Sequence, residues 1–279
     1  MIIEKELEDG FKYLEIKNAH AEAKITLQGA HIFHFKPIKK EPILWLSNLA
    51  QFKIGKAIRG GIPICFPWFG KHKLDPSLAQ HGFARTSIWK LVLSEELEDN
   101  TTHIILELTS NLETKKIWNY DFTLHLAVTI GEKLDIEMTI TNRDKKAFEI
   151  STALHSYFNI SDIENILIEG VEGCRYFDAL SKKEELQNEK LNFTEEVDRV
   201  YFNISKNIDL VDKNRTIKLE QEGSNSLVIW NPWLEKSKTM SDMEDEGYKT
   251  MVCLETANAL EDSQIVGVGE SHVLGVVIG

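Results

Sequence analysis

The 279-residue chain has only three cysteines, Cys65, Cys174 and Cys253, far apart and in no CxxC pair. That spacing excludes a disulfide framework, offers no Cys/His zinc motif, and fits thiols in a reducing compartment. Positive charge is also scarce, with 32 Lys plus Arg against 44 Asp plus Glu, a formal net charge of −12. Such a field repels polyanions, so nucleic acid is not an expected partner, although a pocket can still hold local positive charge for a small anion. No apolar run reaches the length of a membrane span, and no Gly/Pro/Ser tract divides the chain, so neither membrane insertion nor disorder is expected. Residues 1–9 are acidic and lack the basic-then-apolar build of an export signal, which leads to the expectation of a cytoplasmic protein. Familiar catalytic and nucleotide signatures are missing as well. There is no G-x-x-x-x-G-K-[ST], no G-x-G-x-x-G opening a βαβ unit, no H-E-x-x-H and no G-x-S-x-G. His31 and His34 have a spacing that sends strand side chains to opposite faces, so they read as surface or edge histidines rather than a metal pair.

What the chain does contain is a two-residue hydrophobic period. Phe122, Leu124, Leu126, Val128 and Ile130 alternate with Asp121, Thr123, His125, Ala127 and Thr129, the pattern of a half-buried strand. Leu134, Ile136, Met138 and Ile140 resume the period after Gly131-Glu132-Lys133, which predicts a hairpin. The same alternation recurs at Ala21 to Leu27, at Ile104 to Leu108 and around Ile217 and Leu219, and residues 273–278 form an apolar run of strand length. No fifteen-residue segment keeps a 3.6 period, so helices should be few and short. Many short strands between turn residues predict an all-β antiparallel sandwich or barrel, and the lack of a linker favours one domain over residues 1–279. The charged stretches 181–196 and 235–249 read as solvated loops or a short helix without chemistry.

Several segments are too unusual in composition to be scaffold alone. Arg59-Gly60-Gly61-Ile62-Pro63-Ile64-Cys65-Phe66-Pro67-Trp68-Phe69-Gly70 mixes Gly, Pro and aromatics, which points to a rigid loop that either packs one end of the sandwich or binds a ligand. Gln80-His81-Gly82-Phe83-Ala84-Arg85 adds an amide, an imidazole and a second guanidinium. Two arginines beside Gly-rich loops suit phosphate or carboxylate oxygens; alone, they would only balance an acidic surface. Leu154-His155-Ser156-Tyr157-Phe158-Asn159 sets a histidine in an apolar segment, and Glu255 ends the apolar run 251–254. Each could be a satisfied core residue, but a buried imidazole and a buried carboxyl together make a general acid/base pair. Asp198 is a candidate acceptor for a substrate hydroxyl or an ordinary turn residue. Trp68, Trp230 and Trp233 are candidates for a sugar-stacking floor or for core.

Taken in order, Arg59-Gly60-Gly61-Ile62-Pro63, Phe66-Pro67-Trp68-Phe69-Gly70, Gln80-His81-Gly82-Phe83-Ala84-Arg85, Leu154-His155-Ser156-Tyr157-Phe158, Asp198, Asn231-Pro232-Trp233 and Glu255-Thr256-Ala257-Asn258-Ala259 resemble the aldose 1-epimerase superfamily, in particular its hexose-6-phosphate mutarotase branch. The resemblance implies a single-domain antiparallel β-supersandwich of the galactose mutarotase type, with the sugar in an open cleft on one sheet. It implies catalysis by His155 and Glu255, substrate binding by Arg59, Gln80, Arg85 and Asp198, with the arginines on phosphate, and His81 lining the cleft. No metal or other cofactor is expected, and the substrate class is a small phosphosugar whose α and β anomers interconvert. Mutarotation needs a base at the anomeric hydroxyl and an acid at the ring oxygen, here assigned to Glu255 and protonated His155. Two other readings stay open at this point. A free-aldose mutarotase would leave the arginines without an obvious partner, and a non-catalytic sugar-binding module would have no use for a matched acid and base.

Overall fold

The computed structural model describes residues 1–7 and 10–279. Among the described residues, regular structure is almost wholly antiparallel strand, in two eight-stranded sheets, a four-stranded meander over residues 2–37 and a two-stranded ribbon. The first large sheet runs in the order Leu167–Glu169, Asn207–Asp212, Arg215–Glu222, Ser271–Ile278, Leu134–Asn142, Phe122–Ile130, Thr102–Thr109, Lys90–Glu96. The expected hairpin lies at its middle, with Ile130 facing Leu134 across the Gly131 turn and Leu126 facing Met138. Phe122, Leu124, Leu126, Val128 and Ile130 are all buried, as are Leu134, Ile136, Met138 and Ile140, so the period of two has placed one apolar face against the core. Each such aliphatic side chain stabilises the fold by about 1.5–3 kcal/mol through burial. Helices are short, as expected. Leu112–Ile117 starts on an Asn111 cap that accepts from the Glu113 and Thr114 amides, and Trp233–Ser237 is a little over one turn.

The second large sheet positions the chemistry. Its order is Lys183–Leu186, Arg175–Asp178, Val197–Phe202, Ser226–Asn231, Met251–Asn258, Thr152–Leu154, Ile64–Cys65, and Tyr157–Asn159 also pairs with Met251–Asn258. Met251–Asn258 is therefore paired on both sides and every residue in it is buried. One face of this sheet, with Leu154, Leu227, Ile229 and Leu254, joins the main core. On the other face Cys65, Ala153, Val200, Phe202, Val228 and Ala257 form a separate small apolar cluster, against which Phe69 and Phe177 pack.

Residues 181–196 depart from the solvated reading. Lys183–Leu186 is an exposed edge strand, but Leu191 and Phe193 beyond it are buried, and the Tyr201 hydroxyl donates to Gln187 Oε1 at 2.9 Å. Charge density masked two core residues there.

Two glycines are dictated by close backbone approach. An added Cβ on Gly61 (φ +62°) would lie 2.4 Å from the Ile32 carbonyl oxygen and 2.6 Å from His31 Nε2, and one on Gly82 (φ +70°) would lie 2.0 Å from the Phe66 carbonyl oxygen. Gly82→Ala should therefore combine left-handed strain with a backbone clash and destabilise the protein by at least about 1–3 kcal/mol in urea unfolding. Gly173→Ala, at φ +77° with open space around it, should cost only about 1 kcal/mol. Equal midpoints for the two variants would show that the loop holding His81 is not fixed by this contact.

Candidate active site

Glu255 lies near the middle of Met251–Asn258, opposite Val228, and Cys253 two residues earlier lies opposite both Trp230 and Tyr157. Alternation puts Cys253 and Glu255 on the same face, that of the small apolar cluster. His155 sits in the break between Thr152–Leu154 and Tyr157–Asn159, where its amide leaves the sheet ladder and donates to the Pro63 carbonyl at 3.0 Å. This detour turns the imidazole over the central strand, with Nε2 3.4 Å from Glu255 Oε1. Glu255 is 1% exposed and His155 8%, and neither His155 Nδ1 nor Glu255 Oε2 has a hydrogen-bond partner.

Aromatic packing fixes the imidazole plane. His155 stacks on Tyr157 at 4.9 Å and 6°, and Tyr157 stacks in turn on Trp45 at 5.9 Å and 18°. His81 meets His155 edge-on at 5.6 Å and Trp230 does so at 6.2 Å. Arg59 Nη1 donates to the Tyr157 hydroxyl at 2.9 Å and Nε to Asp242 at 3.2 Å. Two of its five donors are thereby used and the other N–H groups stay available to a ligand. Arg85 Nη2 donates to the Gln80 carbonyl at 2.7 Å. Asp198, two strands from Glu255, lies opposite Trp230 and so shares the same face.

The sequence-selected residues thus converge. His155, Glu255, His81 and Asp198 meet over one sheet, Arg59 is joined to them through Tyr157, and the charge of Arg85 reaches both His155 and Glu255. Gln80 is exposed and joins the group through its main chain. Of the three tryptophans, Trp230 borders the pair. Trp68 is buried in the main core with its indole N–H on the Ala79 carbonyl, and Trp233 packs on Tyr248. His31 corrects the surface reading, because it is 1% exposed beneath Gly61. Stretch 235–249 also corrects its reading: besides Asp242, it supplies Glu244, which accepts from the Ser47 hydroxyl at 2.8 Å. Tyr157, Cys253 and Asp242 had no signal of their own in the sequence beyond their neighbourhood.

Burial pushes the Glu255 carboxyl well above the usual carboxylate range, helped by Asp198 and opposed by Arg85. Burial holds His155 well below an ordinary histidine, assisted by His81, Arg85 and Arg59. Both directions favour the uncharged forms, a neutral carboxylic acid and a neutral imidazole, over the ionised ones. Asp198 is raised too, chiefly by burial.

The antiparallel two-sheet scaffold, with His155 and Glu255 buried side by side on one sheet, fits a sugar-mutarotase class of β-sandwich. The family model for aldose 1-epimerase matches residues 12–279, and the chain belongs to that family. A Salmonella typhimurium protein named "Putative glucose-6-phosphate 1-epimerase" is 38% identical over 260 residues, covering 92% of this chain and 86% of its own. A Cenchrus ciliaris protein of the same name is 39% identical over 84% of this chain and 74% of its own. The crystal structure of a "putative mutarotase" from Salmonella typhimurium superposes with a TM-score of 0.93 at 37% identity, covering 99% of this chain and 92% of that one. A galactose mutarotase related enzyme from Lactobacillus acidophilus shares the fold, with a TM-score of 0.75 at 15% identity over 95% of this chain and 96% of its own. No helix among the described residues is long and apolar enough to cross a membrane.

The histidines give a pH signature. His31 and His81 are each pushed down to about 3, first of all by burial. Between about 6.5, where the unfolded chain protonates, and about 3, the unfolded state holds more protons, so stability is lost as pH falls. Per histidine the slope approaches about 1.4 kcal/mol per pH unit. Glu255, shifted upward, acts in the opposite sense, so the comparison should be differential. His31→Asn should flatten the pH dependence of urea-unfolding free energy between pH 6.5 and 4.5 relative to wild type. Parallel curves would mean that His31 takes up a proton in the folded protein.

Proposed function

We propose that the protein interconverts the α and β anomers of hexose 6-phosphates, acting as one mutarotase-like domain without a metal or cofactor, and that it does so in the cytoplasm. The observation that carries this reading is the buried His155–Glu255 pair, with Nε2 and Oε1 3.4 Å apart at a site influenced by two arginines. The phosphate binds at Arg59 and Arg85, remote from C1, and its binding energy orients the anomeric carbon against the pair. Asp198, His81 and Gln80 contact the sugar. Glu255 takes the C1-hydroxyl proton as protonated His155 delivers one to the ring oxygen, the hemiacetal opens, the C1–C2 bond turns, and the roles reverse on closure. The proton count of the pair is the same before and after each half-reaction.

Burial supports this cycle in a specific way. Ring opening turns a carboxylate–imidazolium pair into a neutral acid and a neutral imidazole, the form that the dry site favours. The environment therefore stabilises the open-chain intermediate, which is the unfavourable state in water. A dianionic phosphate offsets Arg59 and Arg85, the charges that keep a proton off His155, and so makes the charged starting form accessible.

The free-aldose reading retains one supporting observation, since Arg59 already has structural partners in Asp242 and Tyr157. Two measurements separate the readings. Anomer-exchange NMR on glucose 6-phosphate should show His155→Asn and Glu255→Gln slowed by roughly 10²–10⁴, with folding unchanged by circular dichroism. Exchange at the wild-type rate in either variant removes the acid/base assignment. The ratio of kcat/KM for glucose 6-phosphate to that for glucose should exceed unity in wild type. It should fall in both Arg59→Ala and Arg85→Ala as a charge-assisted contact of about 1.5–3 kcal/mol is lost. Arg85→Ala is the cleaner arm, because its recorded partner is a single main-chain carbonyl. An unchanged ratio in both would make this a free-aldose enzyme.

A further inference from the structure

Cys253 is buried on the same face as Glu255, yet mutarotation has no step for a thiol. Its position gives it another chemistry. We propose that His155, Cys253 and Glu255 form a binding site for a thiophilic divalent cation of the zinc type, and that the bound ion shuts off the acid/base pair. The inhibitory half rests on the function proposed above, whereas the binding half stands on geometry.

The nitrogen, sulfur and oxygen ligand atoms of the three residues all lie within 4.8 Å of one another. The Nε2 to Oε1 distance of 3.4 Å is longer than the roughly 2.7–2.9 Å of a charge-assisted hydrogen bond. It matches the edge of about 3.3 Å spanned by two ligands on a tetrahedral zinc with legs near 2.0–2.1 Å. Cys253 and Glu255 already face one way, so bringing the thiol to a tetrahedral separation of about 3.6 Å is a side-chain movement that leaves the sheet in register. Imidazole, thiolate and carboxylate form an ordinary zinc donor set. Glu255 Oε2 and His155 Nδ1 have no hydrogen-bond partner, so recruiting the pair breaks no existing network.

Charge agrees on balance. The site buries a carboxyl and a thiol whose ionisation is opposed by desolvation, and a dication supplies the missing counter-charge. Asp198 adds attraction, while Arg59 and Arg85 oppose the ion. His155 is the most exposed of the three ligands. On binding, the thiol proton and the Glu255 carboxyl proton are both released to solvent, and the thiolate sulfur and carboxylate oxygen become ligands. With Nε2 and a carboxylate oxygen held by the metal, neither can carry a proton to or from the sugar.

The test uses purified full-length protein in a Cys174→Ser background, which removes the most accessible thiol. Zinc chloride titrated against a competing chromophoric chelator should show one equivalent bound, and EDTA should release it. Anomer exchange should fall with zinc occupancy and recover fully on chelation. Cys253→Ala should keep basal exchange and bind zinc at least roughly tenfold more weakly. In case that variant does not fold, cobalt chloride added to the Cys253-containing protein should give a thiolate-to-cobalt charge-transfer band that glucose 6-phosphate suppresses. Absence of zinc binding, absence of the cobalt band, or equal zinc affinity in a folded Cys253→Ala overturns the site. Binding at Cys253 without inhibition upholds the metal site and overturns the acid/base reading instead.

Discussion

The structure depends on one constraint: a carboxyl and an imidazole are enclosed together where neither is well solvated. An exposed pair of the same type would ionise independently and ignore its surroundings. Enclosure couples them, so that each proton gained by one is favoured by loss from the other. The sheet makes enclosure possible, because Met251–Asn258 is paired on both edges and buried throughout, which keeps Glu255 from rotating toward water. A carboxyl on an edge strand would have found solvent.

The surroundings of the pair follow from this. Tyr157 is stacked on His155 and hydrogen-bonded to Arg59, so the residue proposed to hold phosphate and the residue proposed to give a proton share one rigid support. Asp242 anchors the other side of the guanidinium. The coupling is electrostatic as well as mechanical, since both arginines act against protonation of His155.

The scaffold was largely legible in the sequence because strand alternation is local. The Phe122–Ile130 and Leu134–Asn142 hairpin, the short helices and the antiparallel all-β build follow from period and turn chemistry. The candidate-site residues stood out because polar groups lay in apolar or Gly-rich runs that no scaffold requires. What stayed hidden depends on long-range contact. His31 looks exposed until Gly61 is seen lying against its ring, and Asp242 looks solvated until the chain brings it 183 residues back to Arg59. Trp68 and Trp233 could not be separated from Trp230 by composition, since which face a ring occupies is set by the partner strands.

Close approach of main chain to main chain links these points. Gly61 admits the Ile32 carbonyl and the His31 ring; Gly82 admits the Phe66 carbonyl. The first contact fixes the loop that carries Arg59, and the second fixes the loop that carries His81 and Arg85. Neither glycine touches the acid/base pair, yet the field at His155 depends on where these loops place their charges. An arginine displaced by a loop shift would weaken its effect on His155 even with His155 and Glu255 in place, because the interaction of two charges falls with distance. Backbone packing in the Gly-rich loops therefore adjusts a proton affinity that burial sets first. A binding handle remote from C1 can influence proton transfer only if its position is fixed to this degree.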